Sequence, residues 1–108
     1  MQILDRKLNV VVVAGASGIG REVAAAYRQE GCEVFVCDIS EDFIGSFRND
    51  FPDIFIKKTD VSIYKDVAEF FNKIKQEEKS IDVLVNCAGI AGPTASLEDV
   101  DPDEWTRP

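Results

Sequence analysis

The stretch that most constrains this chain is Val10–Gly20, VVVVAGASGIG, four consecutive valines running into a glycine-rich bend. A strand that is apolar on both faces belongs in the middle of a parallel sheet, because one-sided strands alternate with polar residues. Ala14–Gly20 is poor in side chains, and Arg21–Glu30 (REVAAAYRQE) reads as the helix that follows. Strand, glycine bend and helix in that order aim backbone N–H groups and a helix N-terminus at one point. Such a point seats a pyrophosphate, and the pattern therefore predicts a dinucleotide site.

The chain has 108 residues, enough for one domain with a core but near the small end for a doubly wound fold. Twelve basic against twenty acidic residues leave a formal net charge of −8, which disfavours nucleic acid or an anionic membrane as partner. No apolar run approaches the length of a bilayer crossing, and MQILDRKLN lacks the pattern of a signal peptide. Cys32, Cys37 and Cys87 form no CxxC, and histidine is absent. Three cysteines without metal spacing read as reduced, small apolar side chains in a cytoplasmic protein with no metal site.

Taken in order, Leu8–Ala14 is the first predicted strand. The helix after it puts Val23, Ala26, Tyr27 and Glu30 at three-to-four spacing, and Gly31 sits where a left-handed C-cap is wanted. Glu33–Asp38 is a second strand that ends on a carboxylate. Ser40 is the N-cap of a helix over Glu41–Asn49 whose Phe43, Ile44 and Phe47 form one apolar stripe. Phe51-Pro52-Asp53 turns the chain into a short strand at Ile54–Lys57, followed by Thr59-Asp60-Val61. Ser62 caps a helix over Ile63–Glu78, where Val67, Phe70, Phe71 and Ile74 match the helical period closely. Ile81–Asn86 is a fourth strand. Ile90–Val100 reads as a loop, and Asp101-Pro102-Asp103-Glu104 carries a helix-start signature. Strands alternating with helices of ten or more residues imply βαβ units and a parallel sheet.

ASGIG at Ala16–Gly20, Asp38 closing the second strand, Asp60-Val61 after the third and Asn86-Cys87-Ala88-Gly89 after the fourth together resemble the N-terminal half of a short-chain dehydrogenase/reductase. The resemblance runs through essentially the whole chain, and each match falls at the C-terminal end of a predicted strand, where open α/β sheets bind ligands. It implies a Rossmann-type α/β fold, a doubly wound parallel sheet of about four strands in the order 3-2-1-4 with helices on both faces. It also implies that residues 1–108 are an NAD-binding domain cut off before the catalytic half.

The resemblance assigns cofactor contacts residue by residue. Gly15, Gly18 and Gly20 permit positive φ and a close backbone approach to the cofactor. Ser17 bonds a phosphate or the ribose, and Ile19 packs beneath the cofactor. Asp38, 18 residues after Gly20, is the acid expected to take the ribose hydroxyls. A 2′-phosphate there meets like charge, and neither the bend nor Ile39 offers a cation, so NAD is favoured over NADP. Asp60 and Val61 correspond to the pair that meets the adenine. Asn86, Ala88 and Gly89 correspond to an element lining the cofactor ribose. Plainer readings stand beside these: Asp60 as a turn residue, Asn86 as purely structural, Asp38 as an ordinary strand-end acid.

Two departures from the family pattern matter. The family writes threonine and glycine at the start of a TGxxxGIG bend. Aligned on Gly18 and Gly20, those positions are Val13 and Ala14; alternatively Gly15 is the first glycine and one residue is missing. The family's chemistry also needs a tyrosine with a lysine four residues later and a serine upstream. The chain has only Tyr27 and Tyr64, followed four residues on by Gly31 and Ala68, so no catalytic residue is assigned.

The first functional reading is an NAD-dependent oxidoreductase acting on a small alcohol or carbonyl, inactive as this chain alone and expected to be a homo-oligomer. A non-catalytic NAD-binding sensor is the second. A self-associating interaction module, through an open fourth-strand edge, is the third. A Rossmann-type methyltransferase is disfavoured by Asn86–Gly89. The acidic group Glu98, Asp99, Asp101, Asp103 and Glu104 lacks the spacing and turn glycine of a calcium loop.

Overall fold

A computed structural model describes residues 2–3, 6–77 and 79–88. Gly89, the loop at 90–100 and the helix start at Asp101 lie outside the described residues.

Among the described residues six strands and three helices follow in the order β1 (Gln2–Ile3), β2 (Arg6–Lys7), β3 (Asn9–Val13), α1 (Gly18–Gln29), β4 (Glu33–Asp38), α2 (Glu41–Asp50), β5 (Phe55–Lys58), α3 (Tyr64–Gln76) and β6 (Val83–Asn86). The four longer strands form one parallel sheet in the order β5-β4-β3-β6, the expected 3-2-1-4 arrangement. The sequence reading missed the antiparallel pair β1–β2, whose two-residue strands are too short to carry a period.

Both faces of the valine strand are covered. Val10 and Val12 join Val34, Val36 and Ile56 beneath Ala24 of α1 and Ile44 and Phe47 of α2. Val11 and Val13 join Phe35 and Cys37 against Phe70 and Ile74 of α3. All four valines are at most 1% exposed, as a central strand between two helical layers requires.

Local geometry corrects several expectations. Helix α1 starts at Gly18 rather than Arg21, so the last two glycines of the bend form its first turn. Its inward residues are Gly20 and Ala24, with Val23 and Tyr27 half-buried, while Ala26 and Glu30 face solvent. In α2, Ile44 and Phe47 are buried but Phe43 is 49% exposed. Ser40 caps α2 as expected, its side chain accepting from the Phe43 amide at 3.2 Å. Ser62 does not cap α3; Ile63 holds that position, because the Ser62 hydroxyl and amide both donate to Asp60. Gly31 follows α1 with φ 85°, the left-handed C-cap anticipated.

Helices α1 and α2 are clasped by Arg21, which pairs with Asp50 and lies over the rings of Phe47 and Phe51. At the other edge, β6 is tied to the start of β3 by the Asp82 carboxylate, which accepts from the Asn9 amide at 2.8 Å.

Candidate functional site

The strand ends are stitched together one residue past the sheet. Ala14 and Gly15 amides donate to the Cys37 carbonyl at 2.8 and 3.3 Å, Thr59 to Asp38 at 2.8 Å and Cys87 to Val13 at 2.9 Å. The C-terminal edge of the sheet is therefore a rigid shelf.

The bend sits on that shelf, and its geometry decides between the two alignments of the glycine pattern. Positive φ falls on Ala14 (60°) and Gly18 (56°), not on Gly15 or Gly20. Ala14 thus occupies the conformation for which the family writes its first glycine, and no residue is missing. Gly15 is a packing glycine: a Cβ there would meet Val12 and Val36 Cγ1 at 2.9 Å. At Gly20 a Cβ would collide with the Ala14 carbonyl oxygen, so only glycine lets α1 start against the bend. The expectation of positive φ at all three glycines holds for Gly18 alone. Gly18 has nothing within 4 Å of its Cβ direction, leaving its backbone open to a ligand. Ser17 at the N-cap makes no side-chain cap bond, and no acid lies in the first turn of α1. The positive end of this twelve-residue helix is left for an anion.

Asp38 faces the bend. One carboxylate oxygen accepts from the buried Ala16 amide and the other from the Ser40 amide, each at 3.0 Å. A carboxylate has about four lone-pair sites, so two remain for ligand hydroxyls. Asp38 also joins two cavities. One, of about 380 Å³, is lined by Ala14, Ser17, Gly18, Ile19, Gly20, Asp38, Ile39, Ser40, Phe43 and Cys87. The other, of about 240 Å³, is lined by Ala14, Cys37, Asp38, Ile39, Thr59, Asp60, Val61 and Ala88.

Nine of the residues singled out from sequence thus line one connected surface around Asp38: Ser17, Gly18, Ile19, Gly20, Asp38, Ile39, Asp60, Val61 and Ala88. Gly15 lies beneath it, and Asn86 stands behind, its side-chain oxygen accepting from the Ala88 amide at 3.0 Å. Asp60 is part of a turn as well as of the wall. Its Oδ1 accepts from the Ser62 amide at 2.9 Å and hydroxyl at 2.6 Å, and these bonds hold its pKa below the usual carboxylate value. The sequence reading missed Phe43, Ser40 and Cys87. For Phe43 the only signal was its place in the first turn of the helix that follows Asp38; its apolar character assigned it to the core. Burial raises the thiol pKa of Cys87 and pushes that of Cys37 up to about 12, so neither is a poised nucleophile.

A larger cavity, about 510 Å³, lies at the opposite end of the strands among Lys7, Arg28, Glu33, Asp53 and Phe55. It has no glycine bend or helix N-terminus and is spanned by the Arg28–Asp53 ion pair at 2.8 Å. In an open α/β sheet the ligand end is the C-terminal one. Among the described residues no group of three His, Cys, Asp or Glu is placed to hold a metal, and no helix is long and apolar enough to cross a membrane.

Parallel sheet, crossover helices and a cradle at the strand ends define a Rossmann-like domain of the nucleotide-binding kind. The chain belongs to the short-chain dehydrogenase family, whose model matches residues 8–108. It is similar to the cis-4-hydroxycyclohexanecarboxylate dehydrogenase of Sinomonas cyclohexanicum, 35% identical over 90% of this chain and 40% of that protein. It is also similar to 3beta-hydroxysteroid dehydrogenase 2 of Eggerthella lenta, 27% identical over 90% of this chain and 39% of that protein. Among solved structures, menthone neomenthol reductase from Mentha piperita superposes with a TM-score of 0.69 at 28% identity, over 77% of this chain and 32% of that one. An actinorhodin polyketide ketoreductase with NADPH shares the fold with a TM-score of 0.74 at 23% identity, over 92% of this chain and 39% of that one. The chain spans about two fifths of the length of the two dehydrogenases. The family binds a dinucleotide of the NAD(P) type and a substrate, and the relatives named are dehydrogenases and reductases.

Proposed function

We propose that this chain is the dinucleotide-binding part of an oxidoreductase that moves a hydride between NAD and a small alcohol or carbonyl substrate. The observation that carries the reading is the Asp38 carboxylate, fixed to the bend by the Ala16 amide and shared by both cavities. In that position it accepts ribose hydroxyls while the α1 N-terminus and Ser17 receive the pyrophosphate. Ile39, Val61 and Asp60 border the base, with Thr59 behind them, and Ile19 lies beneath the cofactor. Asn86 positions Ala88 beside the ribose, and Gly89 completes that element by resemblance. The bound nicotinamide supplies or takes up the hydride.

NAD is preferred over NADP because none of the residues lining either cavity is Lys or Arg. That the relatives are named for a hydroxysteroid and a hydroxycyclohexanecarboxylate supports an alcohol or carbonyl substrate. Proton transfer at the substrate is not assigned to this chain. Tyr27 is packed against the core and Tyr64 stands exposed at the start of α3, and neither lines a cavity at Asp38. Cysteines kept as reduced thiols fit a cytoplasmic setting.

Calorimetric titration of the purified protein tests the reading. NAD is expected to bind saturably, and Asp38→Ala to abolish binding while the fold persists. Absence of NAD binding in the unaltered protein, or binding indifferent to Asp38, would remove the proposal. A homo-oligomer is part of the same reading, since β6 is the outer strand of the described sheet and its Leu84 is 45% exposed. A monomer at every concentration in sedimentation would count against it.

A further inference from the structure

Among the described residues seven large hydrophobic side chains are exposed, and three of them, Ile19, Ile39 and Phe43, line the cavity that joins Asp38 to Ser17, Gly18 and Gly20. Scattered surface apolar residues are ordinary; concentration at one cavity marks a binding surface. Phe43 is the residue of this group whose place the dinucleotide reading does not explain. It belongs to the apolar stripe of α2, yet Ile44 and Phe47 fill the core while Phe43 stays 49% exposed. Its position is fixed, because its amide donates to the Ser40 hydroxyl and the Ser40 amide donates to Asp38. The ring therefore shares a cavity with the carboxylate. It lines the cavity containing Ser17 and Gly18, not the neighbouring one containing Thr59, Asp60 and Val61.

We infer that Phe43 is a specificity-determining residue that, with Asp38, excludes a 2′-phosphate from the ribose side of this cavity; the inference rests on the dinucleotide reading above. A 2′-phosphate would be carried by a sugar oxygen that Asp38 otherwise accepts from. It would lose water against an aromatic ring and find a carboxylate instead of a donor. Two cations on neighbouring elements are already engaged. Lys58 is paired with Glu41 at 2.8 Å, and Arg21 is held by Asp50 beneath the Phe47 and Phe51 rings. Discrimination is thus built from an apolar wall and an acid together.

The test compares NAD and NADP affinities by calorimetry in the unaltered protein, Phe43→Arg, Phe43→Lys and Asp42→Arg. Phe43 is half-exposed, so its replacements are expected to fold, which circular dichroism checks. A cation at position 43 is expected to improve NADP relative to NAD by about tenfold or more, the worth of a charge-assisted hydrogen bond to phosphate. Asp42→Arg, on the same helical turn but outside the cavity, is expected to change the ratio only by about threefold, because exposed charges are screened. NAD binding with an unchanged NADP ratio in both position-43 variants would overturn the inference and leave the dinucleotide reading intact. An equal gain from Asp42→Arg would show that net charge, not the wall, discriminates, and would also overturn it. Failure of the unaltered protein to bind either nucleotide would overturn both.

Discussion

Replacing Ala14 by glycine is expected to stabilise this protein, although glycine ordinarily destabilises. Ala14 has φ 60°, the left-handed region in which a Cβ crowds the following carbonyl oxygen. Holding a non-glycine residue there costs about 1–2 kcal/mol. Against this, glycine gives the unfolded chain more freedom, which opposes folding by about 0.4–1 kcal/mol. The strain is the larger quantity, so Ala14→Gly is expected to gain about 0.5–1 kcal/mol. The hydrogen bond from the Ala14 amide to Cys37 is unaffected, since it belongs to the backbone. For a domain of this size a gain of 1 kcal/mol corresponds to about 4–8 °C in Tm, so a rise of about 2–8 °C is expected. Thermal and urea unfolding followed by circular dichroism measure it. A variant less stable than the parent would refute the reasoning, because it would mean that the bend does not hold position 14 in the left-handed region.

Other expectations follow from neighbouring contacts. Gly20→Ala places a Cβ on the Ala14 carbonyl oxygen, a backbone atom that cannot swing aside, and should destabilise by about 1–3 kcal/mol in urea unfolding. The Cys37 thiol titrates at about 12 when folded, against 9.0 for an ordinary thiol, so between those values the unfolded chain holds fewer protons. Stability is therefore expected to fall as pH rises from 9 toward 12, and Cys37→Ala to show a shallower alkaline loss in denaturant midpoints across pH. For Asp60 the sign is opposite: its folded pKa is depressed by Ser62, so the stabilisation is present above the ordinary carboxylate value and lost on acidification. Ser62→Ala should raise the carboxyl titration midpoint of Asp60 by NMR, and an unmoved midpoint would contradict the assignment.

Much of this architecture is legible in residue order, because burial on both faces and helical period are encoded directly. Val10–Val13 announces a central strand, and the spacing of Phe70 and Ile74 announces the face of α3. Ser40 and Gly31 are legible for the same local reason, as each answers a backbone requirement at a helix end. What is not legible depends on contacts distant in sequence. The role of Gly15 is set by Val12 and Val36 together, and no local pattern distinguishes it from Gly18, which needs its glycine for φ. Ser62 looked like a cap because the preference for serine before a helix is real, but Asp60 competes for its hydroxyl and wins. Phe43 was misassigned because a hydrophobic period records which residues share a face, not how far that face extends past the core. The candidate site residues at 38, 60 and 86 are legible because Asp38 and Asn86 end parallel strands and Asp60 follows one by two residues, and the sheet brings such ends together whatever their separation along the chain.

The central claim is that the bend and Asp38 form a dinucleotide cradle at the C-terminal ends of the strands. Amide NMR of the labelled protein during NAD titration tests it most directly. The largest shifts are predicted at Gly15–Gly20, Ile39 and Ser40, with little change at Arg28, Glu33 and Asp53 around the opposite cavity. Shifts centred on that opposite cavity, or none at saturating NAD, would contradict it.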